Sequence, residues 1–300
     1  MSRMLSVAAT QMACSWDRKQ NIRTAAAMVA EAAGQGAQIV LLQELFETPY
    51  FCIGKDPAYL KEATSVDDNP AIAAMRGLAE RFNVVIPVSF FERAAERTFN
   101  SLAMIDAGGA LLGVYRKSHI PDFPAYEEAF YFAPGDTGFM VFDTKFARLG
   151  AGVCWDQWFP EAARIMVLNG AELLLYPTAI GRPLQASDDD FKNSKPHWQQ
   201  VMQGHAGANL VPVAASNRVG IEAGGGCRTQ FYGGSFLADQ FGAKQAEAGE
   251  DGPHVVVHCF DLDAIAELRR KWGIFRTRRS DLYGPIVSAR APAYLMDERR

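Results

Sequence analysis

Three chemically reactive side chains lie at the ends of predicted strands. Cys154 ends the apolar segment 149–154, Glu44 ends the segment 38–44, and Lys117 ends the segment 111–117. A thiol, a carboxylate and an ammonium together provide a nucleophile, a proton carrier and a positive charge. This combination predicts nucleophilic attack on an amide-like carbonyl group. From the spacing alone, a purely structural role for the three residues stays open.

Each of the three would have a defined task in such a reaction. A cation near Cys154 would stabilise the thiolate, and Lys117 would also stabilise the oxyanion that follows attack. The backbone N–H of Trp155 is the natural second oxyanion donor. Glu44 would accept the thiol proton, pass it to the leaving amine and then activate water. The remaining cysteines are predicted to be small buried hydrophobic residues: Cys14, Cys52, Cys227 and Cys259.

The elements that would position these residues alternate between strands and helices. Strands are predicted at 5–11, 38–45, 84–91, 100–105, 111–117, 149–154, 170–177, 211–215, 234–238 and 255–260. Helices are predicted at 21–33, 71–82, 160–168, 197–208 and 263–271. A Gly-Ala step leads into a buried strand at both Gly36 and Gly170. We therefore predict an α/β fold of two related halves in layered αββα order, with Glu44 and Cys154 contributed by opposite halves.

Composition excludes several functional classes. The 300 residues are 49% hydrophobic and 21% charged, with a net charge of −4, which is typical of a globular protein and not of a general nucleic-acid binder. The basic cluster at 269–279 does not change this interpretation. No apolar run is long enough to span a bilayer. The five cysteines and five histidines contain no Cys-x-x-Cys and no His-Glu-x-x-His, so we expect no metal, no cofactor and a cytoplasmic location.

Three motifs resemble those of the nitrilase superfamily of carbon–nitrogen hydrolases. They are the segments 43–46 (Gln-Glu-Leu-Phe), 115–121 (Tyr-Arg-Lys-Ser-His-Ile-Pro) and 152–156 (Gly-Val-Cys-Trp-Asp). The resemblance implies a four-layer αββα sandwich with a Glu-Lys-Cys triad, matched by Glu44, Lys117 and Cys154. It also implies a second glutamate beside the triad, for which Glu128 fits better than Glu127. The same resemblance implies a homo-oligomer with the segment 272–300 at a subunit interface. No linker rich in Gly, Ser or Pro divides the sequence, so we expect a single domain over 1–300.

Further segments resemble one branch of that superfamily, which hydrolyses N-carbamoylputrescine. They are 154–164, 176–181, 197–209, 215–218 and 272–283. The implied substrate is a small N-carbamoyl amine. The implied reaction gives putrescine, carbon dioxide and ammonia, as in polyamine biosynthesis, through a carbamoyl thioester on Cys154.

The substrate-binding residues that we expect flank these motifs. They are Tyr50, His119, Tyr126, Trp155, Asp156 and Arg182. Aromatic side chains would enclose the four-carbon chain of the substrate, and Phe123 and Trp158 are additional candidates, although core packing is an equally good interpretation of each. The terminal ammonium needs a carboxylate or an aromatic face. The candidate carboxylates are Glu47, Asp122, Asp156 and the run 188–190.

Arg182 departs from the branch pattern, which has an acidic residue shortly after Thr-Ala-Ile-Gly. An arginine near the distal end of the pocket would favour a substrate that carries a carboxylate, such as an N-carbamoyl amino acid or N-carbamoyl-β-alanine. The same arginine pointing to solvent would have no such effect. A further alternative, from a different functional class, is a non-catalytic scaffold or a thiol redox sensor.

Overall fold

Two β-sheets form the centre of the protein in a computed structural model that describes residues 2–185 and 194–288. The strands of this part of the chain are β1 Met4–Gln11, β2 Ile39–Leu41, β3 Ile86–Ala94, β4 Arg97–Ile105, β5 Leu111–Arg116, β6 Val141–Asp143, β7 Arg148–Ala151, β8 Leu173–Pro177, β9 Gly181–Pro183, β10 Val213–Ser216, β11 Val219–Gly224, β12 Cys227–Tyr232, β13 Phe236–Ala238, β14 Lys244–Glu247 and β15 His254–Asp261. Its helices are α1 Arg18–Gly34, α2 Pro70–Phe82, α3 Pro160–Leu168, α4 Ser194–Asn209, α5 Leu262–Trp272 and α6 Gly284–Ser288.

Local sequence signals set the ends of the main helices. Asp17 caps α1 by accepting a hydrogen bond from the backbone N–H of Gln20 at 2.9 Å. Proline occupies the first turn of α2 and of α3, where its missing N–H has no intrahelical partner. Helix α5 ends at Gly273, whose φ of 67° is a left-handed conformation that favours glycine.

The first sheet has the order β15-β1-β2, and backbone bonds extend it to β3-β4-β5. The link is a parallel bridge between Ile39 and Val85, in which Val40 N–H donates to the Val85 carbonyl at 2.9 Å. The second sheet has the order β14-β13-β10-β8-β7-β6. A small third sheet consists of β11, β12 and β9.

The hydrophobic contacts arrange these elements in four layers. Helices α1 and α2 cover the outer face of the first sheet, through residues such as Met28 and Met75. Helices α3 and α4 cover the outer face of the second sheet, through residues such as Met166 and Trp198. Side chains of both sheets interdigitate between them, for example Leu41 with Leu175. The αββα sandwich predicted from the sequence is confirmed.

The two halves of the chain repeat one arrangement. Strands β1, β2, β3, β4 and β5 stand side by side in the first sheet, and β7, β8, β10, β13 and β14 do so in the second. In each half the first two of these strands are parallel neighbours joined through a helix, α1 in one and α3 in the other. The predicted pseudo-symmetry is therefore present.

Two predicted strands are shorter than expected, and this matters for the site. Strand β2 ends at Leu41, so Glu44 lies beyond the sheet, and Leu45 has a φ of 47°. Strand β7 ends at Ala151, three residues before Cys154. The strands that were not predicted, β6, β9, β11, β12 and β14, are short or polar, so they lack the long apolar run that identified the others. Among residues 2–185 and 194–288, no helix has the length and apolar character needed to traverse a membrane.

Candidate active site

Cys154 begins a 3-10 turn, Cys154–Trp158, that joins β7 to α3. Its φ of 42° is unusual for a residue with a side chain, and strain of this kind is found at functional sites. Asp156 stabilises the turn by accepting a hydrogen bond from the N–H of Val153 at 2.9 Å. Gly152 allows close packing there, since an added Cβ would lie 2.8 Å from a ring carbon of Tyr176. The backbone that carries the Cys154 thiol is therefore a rigid turn.

Glu44 lies in a second strained corner, which a buried arginine holds. Leu45, with its positive φ, donates its N–H to the hydroxyl of Ser89 at 3.1 Å. Arg218, which is completely buried, donates from Nη2 to the carbonyls of Glu44 at 2.8 Å and Leu45 at 3.1 Å. Its Nη1 atom pairs with Glu222 at 2.8 Å. The backbone on both sides of the Glu44 side chain is thus fixed by the second half of the protein.

Lys117 joins Glu44 and Glu128 in a buried cluster. Its Nζ atom lies 2.9 Å from Glu44 Oε1 and 2.7 Å from Glu128 Oε2, and all three side chains are inaccessible to solvent. Glu128 opens a short 3-10 turn, and Tyr50 donates its hydroxyl to Glu128 Oε1 at 2.5 Å. The structure therefore brings together Glu44, Lys117 and the second glutamate that the sequence analysis preferred.

The two carboxylate oxygens of Glu44 have different surroundings. Oε1 accepts hydrogen bonds from Lys117 Nζ at 2.9 Å and from Asn100 Nδ2 at 2.6 Å. Oε2 is buried and has no hydrogen-bond partner among the described residues. Oε2 is therefore the oxygen of Glu44 that has no protein donor in the described structure. It is also an acceptor that is ready for a proton.

The charges around Cys154 favour a protonated thiol at rest. Burial and then the carboxylate of Glu44 raise the pKa of the Cys154 thiol well above its usual range, although Lys117 acts in the opposite direction. Burial opposes the charged form of Lys117, but the carboxylates of Glu128 and Glu44 raise the pKa of its ammonium well above its usual range. Burial raises the pKa of the Glu128 carboxyl. The thiol therefore has to lose its proton as it attacks, and the raised pKa of Lys117 favours its charged form over a role as the base.

The aromatic residues named from the sequence form one continuous row. Ring centroids are separated by 5.8 Å between Tyr50 and Tyr126, 5.0 Å between Tyr126 and Phe123, 5.3 Å between Phe123 and Trp155, and 6.1 Å between Trp155 and Trp158. Tyr50 and Tyr126 are buried, and the other three are half-buried. The row therefore leads from the buried carboxylates toward the surface.

Several polar residues expected to contact substrate are engaged elsewhere. Asp156 accepts from Val153 N–H, from the Tyr115 hydroxyl at 2.7 Å and from His119 N–H at 3.0 Å, so both of its oxygens are occupied. The His119 ring bonds to Asp156 at 2.7 Å and stacks on Phe159 at 3.5 Å. These contacts place both residues in the support of the Cys154 turn, and their expected contact with substrate stays a prediction.

Two further candidates for a carboxylate partner of the substrate ammonium are Glu47 and the run 188–190. Glu47 is buried, accepts from Asn69 at 2.7 Å and lies 3.5 Å from Arg18, so it too is engaged within the protein. The run 188–190 lies outside the described residues. Arg182 lies on β9 and lines a polar cavity of about 600 Å³, together with Tyr232, Lys195 and Glu247.

Two residues of the site were not assigned a role from the sequence, namely Asn100 and Arg218. Each is a polar residue within a buried, largely apolar segment, and this was the signal that could have drawn attention to it. Within the described ranges, no group of three His, Cys, Asp or Glu side chains is arranged to hold a metal ion. The expectation that the reaction needs no cofactor stays a prediction.

Comparisons with known proteins agree with this geometry. The model of the carbon-nitrogen hydrolase family matches residues 6–270. An N-carbamoylputrescine amidase of Arabidopsis thaliana is 53% identical over 290 residues, covering 95% of this chain and 96% of that protein. A citrullinase of Francisella tularensis is 47% identical over 283 residues, covering 94% and 98% of the two chains.

A solved structure shares the fold as well. The crystal structure of a carbon-nitrogen hydrolase from Helicobacter pylori G27 has a TM-score of 0.91 and 37% sequence identity, and it covers 96% of this chain and 100% of that one. The family model spans most of the chain, and relatives about half identical extend over nearly its whole length. The chain belongs to the carbon-nitrogen hydrolase family.

Proposed function

We propose that the protein hydrolyses N-carbamoylputrescine to putrescine, carbon dioxide and ammonia. The observation that carries the proposal is the difference between the two carboxylate oxygens of Glu44. Oε1 accepts a hydrogen bond from Lys117, and Oε2 has no partner in the described structure. This arrangement provides a base next to a protonated thiol. The choice of substrate is supported by the four N-carbamoylputrescine amidases of plants, which are 52–53% identical to the chain.

The first half of the reaction acylates Cys154. Its sulfur attacks the ureido carbonyl carbon while the thiol proton moves to Glu44 Oε2. The resulting oxyanion is stabilised by the Lys117 ammonium and by the N–H of Trp155. The bond from carbon to the substituted nitrogen then breaks, and Glu44 returns the proton to that nitrogen. Putrescine leaves, and a carbamoyl thioester remains on Cys154.

The second half hydrolyses this thioester. Glu44 takes a proton from water, which attacks the carbamoyl carbon, and Lys117 again stabilises the negative charge. The carbon–sulfur bond breaks, and the sulfur regains its proton. The released carbamic acid decomposes to carbon dioxide and ammonia, so that one water is consumed for each substrate. Because Glu128 contacts Lys117 through both oxygens, at 2.8 and 2.7 Å, its proposed role is to position Lys117.

The aromatic row provides a route for the rest of the substrate. A four-carbon chain is apolar, and burying each CH₂ group is worth about 0.8 kcal/mol. A chain that lies along Tyr126, Phe123 and Trp155 would have its ammonium near the half-buried end of the row. There an indole face can attract a cation.

A second candidate substrate is citrulline, which the 47% identical citrullinase brings into consideration. Citrulline is N-carbamoylputrescine with one additional carboxylate, on the carbon that bears the amino group. Arg182, which lines the polar cavity beside Tyr232, is the observation that favours this substrate. A guanidinium can bind a carboxylate through two hydrogen bonds. The same cation would repel the ammonium of N-carbamoylputrescine, so Arg182 distinguishes the two candidates.

The test is a side-by-side measurement of ammonia release. N-Carbamoylputrescine, citrulline and N-carbamoyl-β-alanine are each supplied to the parent protein and to Arg182→Ala, with Arg228→Ala as a surface control on the adjacent strand β12. The proposal predicts the highest kcat/KM for N-carbamoylputrescine. A preference for either carboxylate substrate that disappears in Arg182→Ala would reject it in favour of an arginine-anchored acid.

The alternative of a thiol redox sensor is opposed by the state of Cys154. Sensor cysteines are accessible and have a lowered pKa. Cys154 is 3% exposed, and burial raises the pKa of its thiol. A non-catalytic scaffold would not need to bury the ion pairs that Lys117 makes with Glu44 and Glu128. Both features support a hydrolase.

The proposal extends to the cellular setting. We propose that the reaction belongs to polyamine biosynthesis and takes place in the cytoplasm. We also propose that the protein is a single domain over 1–300 and forms a homo-oligomer. From the last residue of α5 onward the chain exposes Trp272, Leu282 and Ile286, each at about 60% of its surface. Exposed apolar residues close together are typical of a subunit interface. Size-exclusion chromatography with light scattering, repeated on Trp272→Glu, tests the oligomer.

A further inference from the structure

Asn100 is a buried polar side chain for which the mechanism above has no use. It lies on β4 and is completely inaccessible to solvent. Its Nδ2 atom donates to Glu44 Oε1 at 2.6 Å and makes a long contact of 3.5 Å with Glu128 Oε2. Its backbone carbonyl accepts the N–H of Lys117 at 2.8 Å. One residue therefore contacts three polar groups of the site.

The hydrogen bond to Glu44 makes its two oxygens inequivalent. Lys117 and Asn100 both donate to Oε1, and charge-assisted bonds of this kind are short and directional. Because Asn100 lies on β4 and Lys117 follows β5, the two donors reach Oε1 from different directions and fix the rotation of the carboxylate. With the Lys117 contact alone, the carboxylate could turn and exchange its oxygens.

We propose that Asn100 is a positioning residue, which holds the carboxylate of Glu44 so that Oε2 is the atom that exchanges protons with Cys154 and with the leaving amine. This inference rests on the proposed acid–base role of Glu44. It adds that the acid–base role of Glu44 depends on a neutral hydrogen-bond donor, the Asn100 amide on β4.

The charges that face Glu44 explain why the donor is an amide. Lys117 approaches from the end of β5, Glu128 from its 3-10 turn and Cys154 from the turn after β7. The site already holds two carboxylates and one ammonium, and the buried guanidinium of Arg218 faces Glu44 from its backbone side. An amide stabilises the ionised carboxylate without adding charge. An aspartate at position 100 has the same shape but would place an acceptor 2.6 Å from Glu44, so attraction would become repulsion.

Ser101 is a matched control on the same strand. It is as buried as Asn100, and its hydroxyl donates to Glu92 Oε2 at 2.6 Å. As its neighbour in the strand, it points to the other face of the sheet. Ser101→Ala therefore removes a buried hydrogen bond to a carboxylate without touching the site.

The experiment compares Asn100→Ala, Asn100→Asp and Ser101→Ala. All three should lower the melting temperature. Only the Asn100 variants should lose kcat, by about 100-fold, which is typical of a mispositioned catalytic group. Their KM values should stay within about threefold of the parent value, because the ground-state contacts with substrate are unchanged.

A second measurement does not depend on the identity of the substrate. The rate at which iodoacetamide alkylates Cys154 is followed by peptide mass spectrometry as a function of pH. In Asn100→Ala the reaction should be at least about tenfold slower at neutral pH. If the parent did not hydrolyse N-carbamoylputrescine, the proposed function would fail while this difference would still test Asn100.

The inference is supported when both Asn100 variants lose turnover or alkylation rate and Ser101→Ala retains them. It is overturned when folded Asn100→Ala and Asn100→Asp match the parent in both turnover and alkylation rate. An equal loss in Ser101→Ala would also overturn it, since the effect would then come from the strand and not from Glu44.

Discussion

Replacing Arg218 with methionine is expected to destabilise the fold and to inactivate the site at the same time. The guanidinium is completely buried, and it bonds to Glu222 at 2.8 and 3.1 Å through Nη1. Through Nη2 it bonds to the carbonyls of Glu44 and Leu45. Methionine has a similar length and no donor, so all these bonds are lost together.

The cost follows from what stays buried after the change. Glu222 is 8% exposed and would keep a carboxylate without a partner charge. Breaking a buried ion pair in this way costs about 3–5 kcal/mol. That is a large part of the roughly 5–15 kcal/mol by which a domain is stable. In Arg218→Met/Glu222→Met both charges are gone, and the free energy of unfolding should recover by about 2 kcal/mol or more relative to Arg218→Met.

Urea unfolding of the parent, both single variants and the double variant gives the coupling free energy. The exposed pair of Glu267 and Lys271, in the same i, i+4 spacing, is the control and should show no measurable coupling. Activity should not recover in the double variant, because the carbonyl of Glu44 still lacks its donor. Additive effects of Arg218→Met and Glu222→Met, or an active double variant, would refute this reasoning.

Three other substitutions address separate features. Lys117→Arg keeps the charge but cannot fit a fully buried site, so kcat should fall at least about 100-fold; near-parental turnover would contradict the proposed geometry. Tyr50→Phe removes the bond to Glu128 and should lower kcat about tenfold in steady-state assays, whereas a change in KM alone would indicate substrate contact. Burial lowers the pKa of His205, so the contribution of its neutral form to stability is fully present above about pH 6.5 and is lost as the pH falls below that value. Melting curves of His205→Gln should therefore show a weaker acid dependence than those of the parent. An unchanged dependence would exclude His205 as its source.

The fold was largely predictable because its central strands are long and apolar. The αββα layers and the two related halves followed from strands such as β8, which is buried along its whole length. Strand β14 was missed because three of its four residues are polar and mostly exposed. The early ends of β2 and β7 were also missed, since the apolar runs continue through the strained corners at Leu45 and Cys154.

The site was predictable where chemistry and motif coincide in a short segment. The structure brings Glu44, Lys117 and Glu128 together within hydrogen-bond distance. Asn100 and Arg218 were not assigned because their partners are distant in the chain, at 56 residues from Glu44 for Asn100 and 174 for Arg218. No local pattern marks such a pair.

Asp156 has structural partners that the motif alone did not indicate. Its carboxylate beside the nucleophile suggested a partner for the substrate ammonium. The structure uses both oxygens to fix the turn, through Val153, Tyr115 and His119. A sequence position next to a reactive residue does not distinguish contact with the substrate from support of the backbone.

The most direct test of the account is to trap the covalent intermediate. The protein is quenched with acid during turnover of N-carbamoylputrescine, and its peptides are analysed by mass spectrometry. The account predicts one carbamoyl group on the peptide that contains Cys154, and neither adduct nor turnover in a folded Cys154→Ala variant. Turnover that persists in Cys154→Ala, or a carbamoyl group on a different residue, would contradict it.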